Sequence, residues 1–271
     1  MPELPEVEIT RRGLHPHIVD QEIVGITIRE TRLRWPIDAS ISTELIGQTI
    51  LDTSRRGKYL LLKFQTGTLL LHLGMSGNLR IIPAKTPPIK HDHVDIALKS
   101  GFAIRFNDPR RFGAIIWAGK EPEIHPLLVN LGPEPLTAVL SGAWLYQMTR
   151  KQKLAIKLWL MDSKRITGIG NIYANEALFR SGISPTRAAG SISQRRLEIL
   201  AQEIKSTLEE AIEAGGSTLR DFVNAEGNPG YFQQKYFVYG RDELNCLKCK
   251  KPIKLIRQSG RATYYCSNCQ R

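Results

Sequence analysis

The chain has 271 residues, 42% of them hydrophobic and 24% charged, enough for one large or two ordinary domains with cores of their own. Its net charge of +12 makes nucleic acid, an anionic membrane or an acidic protein the expected kind of partner. No apolar run is long enough to cross a bilayer, and the start lacks the basic-then-apolar order of a targeting peptide.

The first stretch is Met1-Pro2-Glu3-Leu4-Pro5-Glu6-Val7. Removal of Met1, which a small second residue such as Pro2 permits, leaves a secondary amine with a carboxylate, Glu3, beside it. An α-amino group titrates at roughly 8, so part of it is neutral at physiological pH. Pro5 suits the first turn of a helix, whose positive end lowers the amine pKa while Glu3 and Glu6 raise it. Such an amine attacks an aldehyde-like carbon to give an iminium without further activation. On these seven residues alone, prolines stiffening a chain end is the simpler account.

The helix that begins here is expected to end at Pro16. Residues Glu22 to Arg29 alternate and predict a strand. Lys58 to Phe64 and Leu69 to Leu73 predict a hairpin, as do Val94 to Leu98 and Phe102 to Phe106, followed by a strand from Ala114 to Ala118. Beyond Gly132-Pro133-Glu134-Pro135 the period becomes helical, with helices expected over Leu154 to Met161, Ile172 to Arg180 and Leu197 to Ile212, the last stopped by Gly215-Gly216. Residues 217–236, rich in Gly, Asn and aromatics, predict a long loop, either an active-site lid or a loop with no role of its own.

The end of the chain is different. From Lys235 to Arg271 there are nine Lys or Arg against two acids, so +7 of the +12 lies in 37 residues. All four cysteines are here, as Cys246-x2-Cys249-x16-Cys266-x2-Cys269. Two such pairs at this gap predict one tetrahedral, structural zinc on two β-knuckles, with no open position for substrate. Metal binding then supplies most of the folding free energy of a module too small for its own core. Between the pairs, Gly260 predicts a hairpin tip presenting Arg261 outward, which by spacing alone is a solvated turn charge.

Three further patterns carry possible chemistry. Gly168-Ile169-Gly170-Asn171 before a helix suits an anion held at the helix start, with Lys157 on the preceding helix. Asp108-Pro109-Arg110-Arg111-Phe112 sets an aromatic beside cations, the combination that wedges into a base stack, and Met75 between glycines is a more pliable second wedge. Taken singly, Met75 and Phe112 read better as core. Lys58, after Arg55-Arg56-Gly57, either points into a cleft or caps a sheet edge. His91-Asp92-His93 reads as hydrogen-bonding residues rather than a metal site.

Together the pieces resemble the bacterial formamidopyrimidine-DNA glycosylases of the Fpg/Nei superfamily. The similarity runs in order through MPELPEVE at the start, RRGKYLLL around Lys58, HLGMSG at 72–77, KHDHVD at 90–95, NDPRRFGA at 107–114, LGPEPL at 131–136, GIGNIYANEALF at 168–179, GGSTLRDF at 215–222 and the cysteine module. The resemblance implies an α+β, multidomain fold: an N-terminal β-sandwich with an N-terminal helix, a helical helix–two-turn–helix domain, and a C-terminal four-cysteine zinc finger. The expected boundaries are 1–125 for the β-rich catalytic domain, 126–145 for the linker, 146–235 for the helical domain with a lesion-capping loop, and 236–271 for the finger.

The resemblance also implies a bifunctional DNA glycosylase/AP lyase of base excision repair that removes oxidised purines. Pro2 is the implied nucleophile on C1′ and Glu3 the proton donor as the base leaves. Lys58 matches the proton donor for β-elimination and Arg261 its counterpart for δ-elimination. Met75, Arg110 and Phe112 match the residues that fill the gap left by the extruded nucleotide. His91, Arg110, Gln152, Lys153, Lys157 and Asn171 match DNA-contact positions, although Gln152 interrupts what is a basic run in many relatives. The implied partner is damaged double-stranded DNA and the implied cofactor one Zn2+ with no organic group. A monomer in the bacterial cytoplasm, associated with the nucleoid and away from membranes, is expected. Two rivals are a Nei-type enzyme for oxidised pyrimidines, and a zinc-ribbon DNA-binding protein without catalysis.

Overall fold

The structure is a computed structural model and describes residues 1–216 and 236–271. The chain divides into two compact units. The first comprises Met1–Val129 with the described residues from Ile212 to Gly216; the second comprises Asn130–Ala211 with the described residues from 236 onward.

In the first unit, α1 (Leu4–Ile18) is followed by β1 (Ile23–Ile28), the short α2 (Ser40–Leu45), and then β2 (Asp52–Arg56), β3 (Tyr59–Lys63), β4 (Thr68–His72), β5 (Asn78–Pro83), β6 (Asp92–Leu98), β7 (Phe102–Asn107) and β8 (Ala114–Trp117). The strands form two four-stranded sheets, ordered β1-β6-β7-β5 and β2-β3-β4-β8, with every pairing antiparallel. One core cluster draws on both sheets, through Leu60, Leu62, Leu71, Val94, Ile96, Ile104 and Phe106, and on α1 through Val7, Leu14 and Ile18. The expected β-sandwich with an N-terminal helix is therefore present, with α1 packed on β2, β3 and β5.

Three differences from the sequence reading have physical causes. The first helix does not stop at Pro16 but runs two residues further to Ile18. Ile18 is fully buried and the Val19 N–H closes onto the His15 carbonyl, so core burial outweighs the one backbone bond Pro16 cannot make. The edge strands β2 and β5 are absent from that reading. Only Thr53 of β2 is buried, so no apolar alternation marks it. Lys58 consequently lies not in a strand but in the two-residue Gly57-Lys58 turn that joins Arg56 to Tyr59.

The second unit contains α3 (Gly142–Thr149), α4 (Ile156–Leu160), α5 (Asn171–Arg180), α6 (Gln194–Glu213), and the hairpin β9 (Lys254–Gln258) with β10 (Arg261–Tyr265). Helix α3, capped by Ser141 Oγ accepting from the Trp144 N–H, begins inside the stretch expected to be linker. The cysteine module has a very small core: Val238, Cys246, Ile253 and Cys266 pack with Phe179, which belongs to α5. The predicted loop at 217–236 lies, except for its last residue, outside the described residues. No helix among the described residues is long and apolar enough to cross a membrane.

Candidate active site and nucleic-acid interface

The start of the chain is fixed rather than frayed. Pro2 is buried beneath an exposed Met1, and Glu3 caps α1 in a reciprocal capping box. The Glu3 N–H donates to the Glu6 carboxylate at 2.8 Å, while the Glu3 carboxylate accepts from the N–H of Glu6. Both carboxylates are at most 1% exposed. Pro5 occupies the first turn, where a missing N–H costs nothing.

Glu8 ties this helix to the turn that carries Lys58. Its carboxylate accepts from Arg11 and Arg12 on α1 and from Arg55 Nε on β2 at 3.3 Å. Arg55 also donates to the Gly57 carbonyl at 2.9 Å. Burial alone would raise the Glu8 pKa, but hydrogen bonds from Arg11 and Arg12 and the charges of Arg11 and Arg55 bring it down to about 2. The result is a charged clip running from the N-terminal helix through Arg55 to the residue before Lys58. The charge of Lys58 is felt at His72, whose pKa falls to about 4 through burial first and then the charges of Lys58 and Arg34. His72 is therefore neutral at physiological pH, leaving Nδ1 to accept from the Gly74 N–H at 3.0 Å.

That bond opens the loop bearing Met75. Gly74 has φ +63°, and a Cβ there would lie 2.5 Å from the Phe112 carbonyl carbon and 2.6 Å from the Gly113 nitrogen, so the Met75 loop and the Arg110–Phe112 loop touch backbone to backbone. Asp108, fully buried, binds both loops: its carboxylate accepts from Ser76 Oγ at 2.8 Å, from the Arg110 N–H at 3.2 Å and from the Gly113 N–H at 2.8 Å. Above this clasp Met75 and Phe112 are 38% and 41% exposed, with the Arg110 guanidinium 4.8 Å over the Phe112 ring. The core reading of these two side chains is wrong. A cavity of about 510 Å³ lies beside Phe112, lined by Arg32, Leu33, Arg34, Arg110, Arg111 and Phe112 itself.

His91 stands at φ +72°, next to the irregularity in the β6–β7 register. Asp92 anchors it from below, accepting from Arg80, Arg105, Asn107 and the Ile89 N–H.

In the second unit Gly170 caps α5, so Asn171 is the first helical residue. Asn171 Oδ1 is buried and takes no hydrogen bond among the described residues. Gln152 accepts from Arg165 Nη1 at 3.2 Å, a position where a lysine would meet another cation; Lys153 is exposed. Lys157 departs from expectation. It is fully buried and its Nζ donates at 2.7 Å to the Ala262 carbonyl and at 2.7 Å to Thr263 Oγ1. A direct phosphate contact from this lysine is not available in this conformation, because its ammonium is already inside the protein. Arg261 is exposed at the hairpin turn, where Ser259 and Gly260 have φ of +46° and +76°, the paired positive values of a tight two-residue turn.

The four cysteine sulfurs lie within 4.8 Å of one another, with Cys246–Cys269 at 3.9 Å and Cys249–Cys266 at 3.4 Å. A zinc with Zn–S bonds of about 2.3 Å has tetrahedral S–S edges of about 3.8 Å, so the four fit that ion as its complete ligand set. Lys250 and Gln270 N–H groups donate to the Cys246 and Cys266 carbonyls, closing the two knuckles. Burial and then its sulfur neighbours push the Cys269 thiol up to about 12, whereas the Lys251 N–H brings that of Cys249 down to about 6.

Comparison with known proteins agrees along the whole chain. Residues 1–115 match the formamidopyrimidine-DNA glycosylase N-terminal domain, 131–223 its H2TH domain, and 244–271 the zinc finger found in FPG and IleRS. The chain belongs to the formamidopyrimidine-DNA glycosylase family. Its relatives in that family include the enzymes of Syntrophotalea carbinolica and Methylococcus capsulatus, 52% and 53% identical over 271 residues, covering all of both chains. Among solved structures, Lactococcus lactis Fpg bound to DNA containing an abasic site is 32% identical with a TM-score of 0.92, covering 99% of each chain. The MutM (FPG) protein from Thermus thermophilus is 37% identical with a TM-score of 0.88, covering 99% of this chain and 98% of the other. The family consists of DNA glycosylases of base excision repair. The four-cysteine module is its zinc finger, holding one structural zinc.

Proposed function

We propose that this protein is a bifunctional DNA glycosylase and AP lyase that removes oxidised purines, 8-oxoguanine and formamidopyrimidines, from double-stranded DNA. The observation that carries this reading is the start of the chain. Pro2 and the Glu3 carboxylate are held together at the positive end of α1 by a capping box, in a domain that matches the family's N-terminal domain. While Met1 is attached the Pro2 nitrogen is an amide; its removal makes the amine.

The amine lone pair then forms a bond to C1′ of the damaged nucleotide as the glycosidic bond breaks. The electron pair leaves with the base, which Glu3 protonates. Loss of the N–H proton and cleavage of the C1′–O4′ bond, with the ring oxygen leaving protonated, turn this adduct into an open-chain iminium that acidifies C2′–H; loss of that proton expels the 3′-phosphate, Lys58 acting as acid. A second elimination expels the 5′-phosphate, served by Arg261. Reaching C1′ requires the nucleotide to leave the stack, which costs a few kcal/mol. Met75, Arg110 and Phe112 offset part of that cost by filling the gap. His91, Lys153, Asn171 and the start of α5 hold phosphates, and the basic charge supplies salt-dependent affinity. Gln152 stands at a contact position without a charge. The enzyme works as a monomer in the bacterial cytoplasm.

Incision of 8-oxoguanine·C duplexes well above thymine-glycol duplexes is the expected result. The reverse preference would assign the chain to Nei-type chemistry, and no incision of either would leave only a DNA-binding protein.

A further inference from the structure

A lysine with no exposed surface gives up the hydration of its ammonium, a cost of several kcal/mol that a leucine in α4 would not incur. Lys157 must therefore do something that packing cannot. Two acceptors of its Nζ, Ala262 O and Thr263 Oγ1, belong to the first two residues after Arg261. Thr263 Oγ1 in turn donates to Gln258 Oε1 at 3.0 Å, so one ammonium reaches β10 directly and β9 through the threonine. The tight turn holding Arg261 is thus gripped on both sides.

Two neighbours on α5 act on the same module. Asn175 Oδ1 accepts from the Tyr264 N–H at 2.9 Å, while its Nδ2 donates to the Asn171 carbonyl at 2.5 Å. The buried Glu176 carboxylate accepts from three successive N–H groups, Phe237 at 2.8 Å, Val238 at 3.0 Å and Tyr239 at 2.8 Å. Apolar packing on Phe179 is non-directional, whereas hydrogen bonds in a dry environment set orientation.

We propose that Lys157, Asn175 and Glu176 form a positioning clamp that orients the β9–β10 hairpin so that Arg261 serves δ-elimination, and that Lys157 acts through the hairpin rather than on a phosphate. This inference rests on the proposed assignment of Arg261 to that step.

The test uses full-length, zinc-loaded enzyme on a duplex with one abasic site, on gels that separate 3′-unsaturated aldehyde ends (β) from 3′-phosphate ends (δ). Thr263→Val and Lys157→Met are expected to lower the δ share about tenfold, the effect of one lost hydrogen bond to a charged group. β-Elimination stays within about threefold, zinc remains at one per chain, and the salt dependence of binding is unchanged. Thr263→Ser, which keeps the hydroxyl, restores the δ share. A salt slope reduced by about 1 in Lys157→Met would instead make that lysine a phosphate contact. A fall in δ share that merely tracks zinc loss, or an unchanged δ share in both variants while Arg261→Gln abolishes it, would also overturn the clamp. Arg261→Gln with its δ share intact would remove the assignment of Arg261 itself, and the clamp with it.

Discussion

The two units solve one problem in opposite ways. In the first, the side chains proposed to meet DNA stand on loops clipped to a large apolar core, and the clips are buried carboxylates: Glu6 for the chain start, Glu8 for the Lys58 turn, Asp92 for His91, Asp108 for the wedge. The finger of the second has almost no core, so a metal and three polar side chains borrowed from α4 and α5 take its place. A carboxylate accepts several N–H groups at once and so suits the pinning of a loop backbone. A module without a core needs its fold supplied as well as its orientation.

The contrast predicts that metal loss has the largest effect. Cys249→Ser, or chelation of the wild type, is expected to unfold the finger and abolish DNA cleavage while the first unit keeps its cooperative melting transition. Calorimetry showing both units melting together after chelation would erase the distinction. Next comes the wedge. Gly74→Ala forces a Cβ into the Phe112 backbone at a positive φ and should cost about 3 kcal/mol in urea denaturation, whereas any substitution at the exposed Phe112 should leave stability nearly unchanged.

Asp108→Asn removes an acceptor from a clasp of three donors, at a cost of about 2 kcal/mol. Because it loosens both loops, it should also weaken discrimination of the base opposite the lesion, read from incision of 8-oxoguanine paired with C and with A. Glu8 contributes a pH dependence. Its folded pKa, about 2, lies below the ordinary 4.5, so the unfolded chain binds its proton first. The stabilisation is fully present above pH 4.5 and is lost as pH falls through 2. It amounts to about 2 kcal/mol after discounting for partial solvent access, and Glu8→Gln should flatten the decline in denaturation midpoints between pH 5 and 3. The smallest effect is expected at Gln152. Gln152→Lys adds a charge beside Arg165 and should steepen the salt dependence of DNA binding by at most about 1 in slope.

What the sequence could tell divides along the same line. Apolar runs and turn residues located the hairpins of the first unit, because β3, β4, β6 and β7 bury apolar residues along almost their whole length. The edge strand β2 carries almost none and left no such trace. The cysteine spacing made the finger legible outright, since tetrahedral coordination allows few spacings. The clips were not legible. Nothing about Asp108 or Glu176 in the sequence says that one carboxylate gathers donors from two loops or from three successive N–H groups, for those partners meet only when the chain is folded. Lys157 shows the limit most plainly: a lysine preceding a glycine-rich helix start reads as a phosphate ligand, and only its burial against Ala262 and Thr263 argues otherwise.

The central claim is that catalysis runs through a covalent bond to the nitrogen of residue 2. Borohydride reduction of enzyme mixed with an 8-oxoguanine·C duplex, followed by peptide mapping of the cross-linked product, tests it directly. The account predicts one adduct, on Pro2 of chains that have lost Met1, and none with chains that retain it. An equally abundant adduct with Met1 still in place, or one mapped to Lys58, would contradict it.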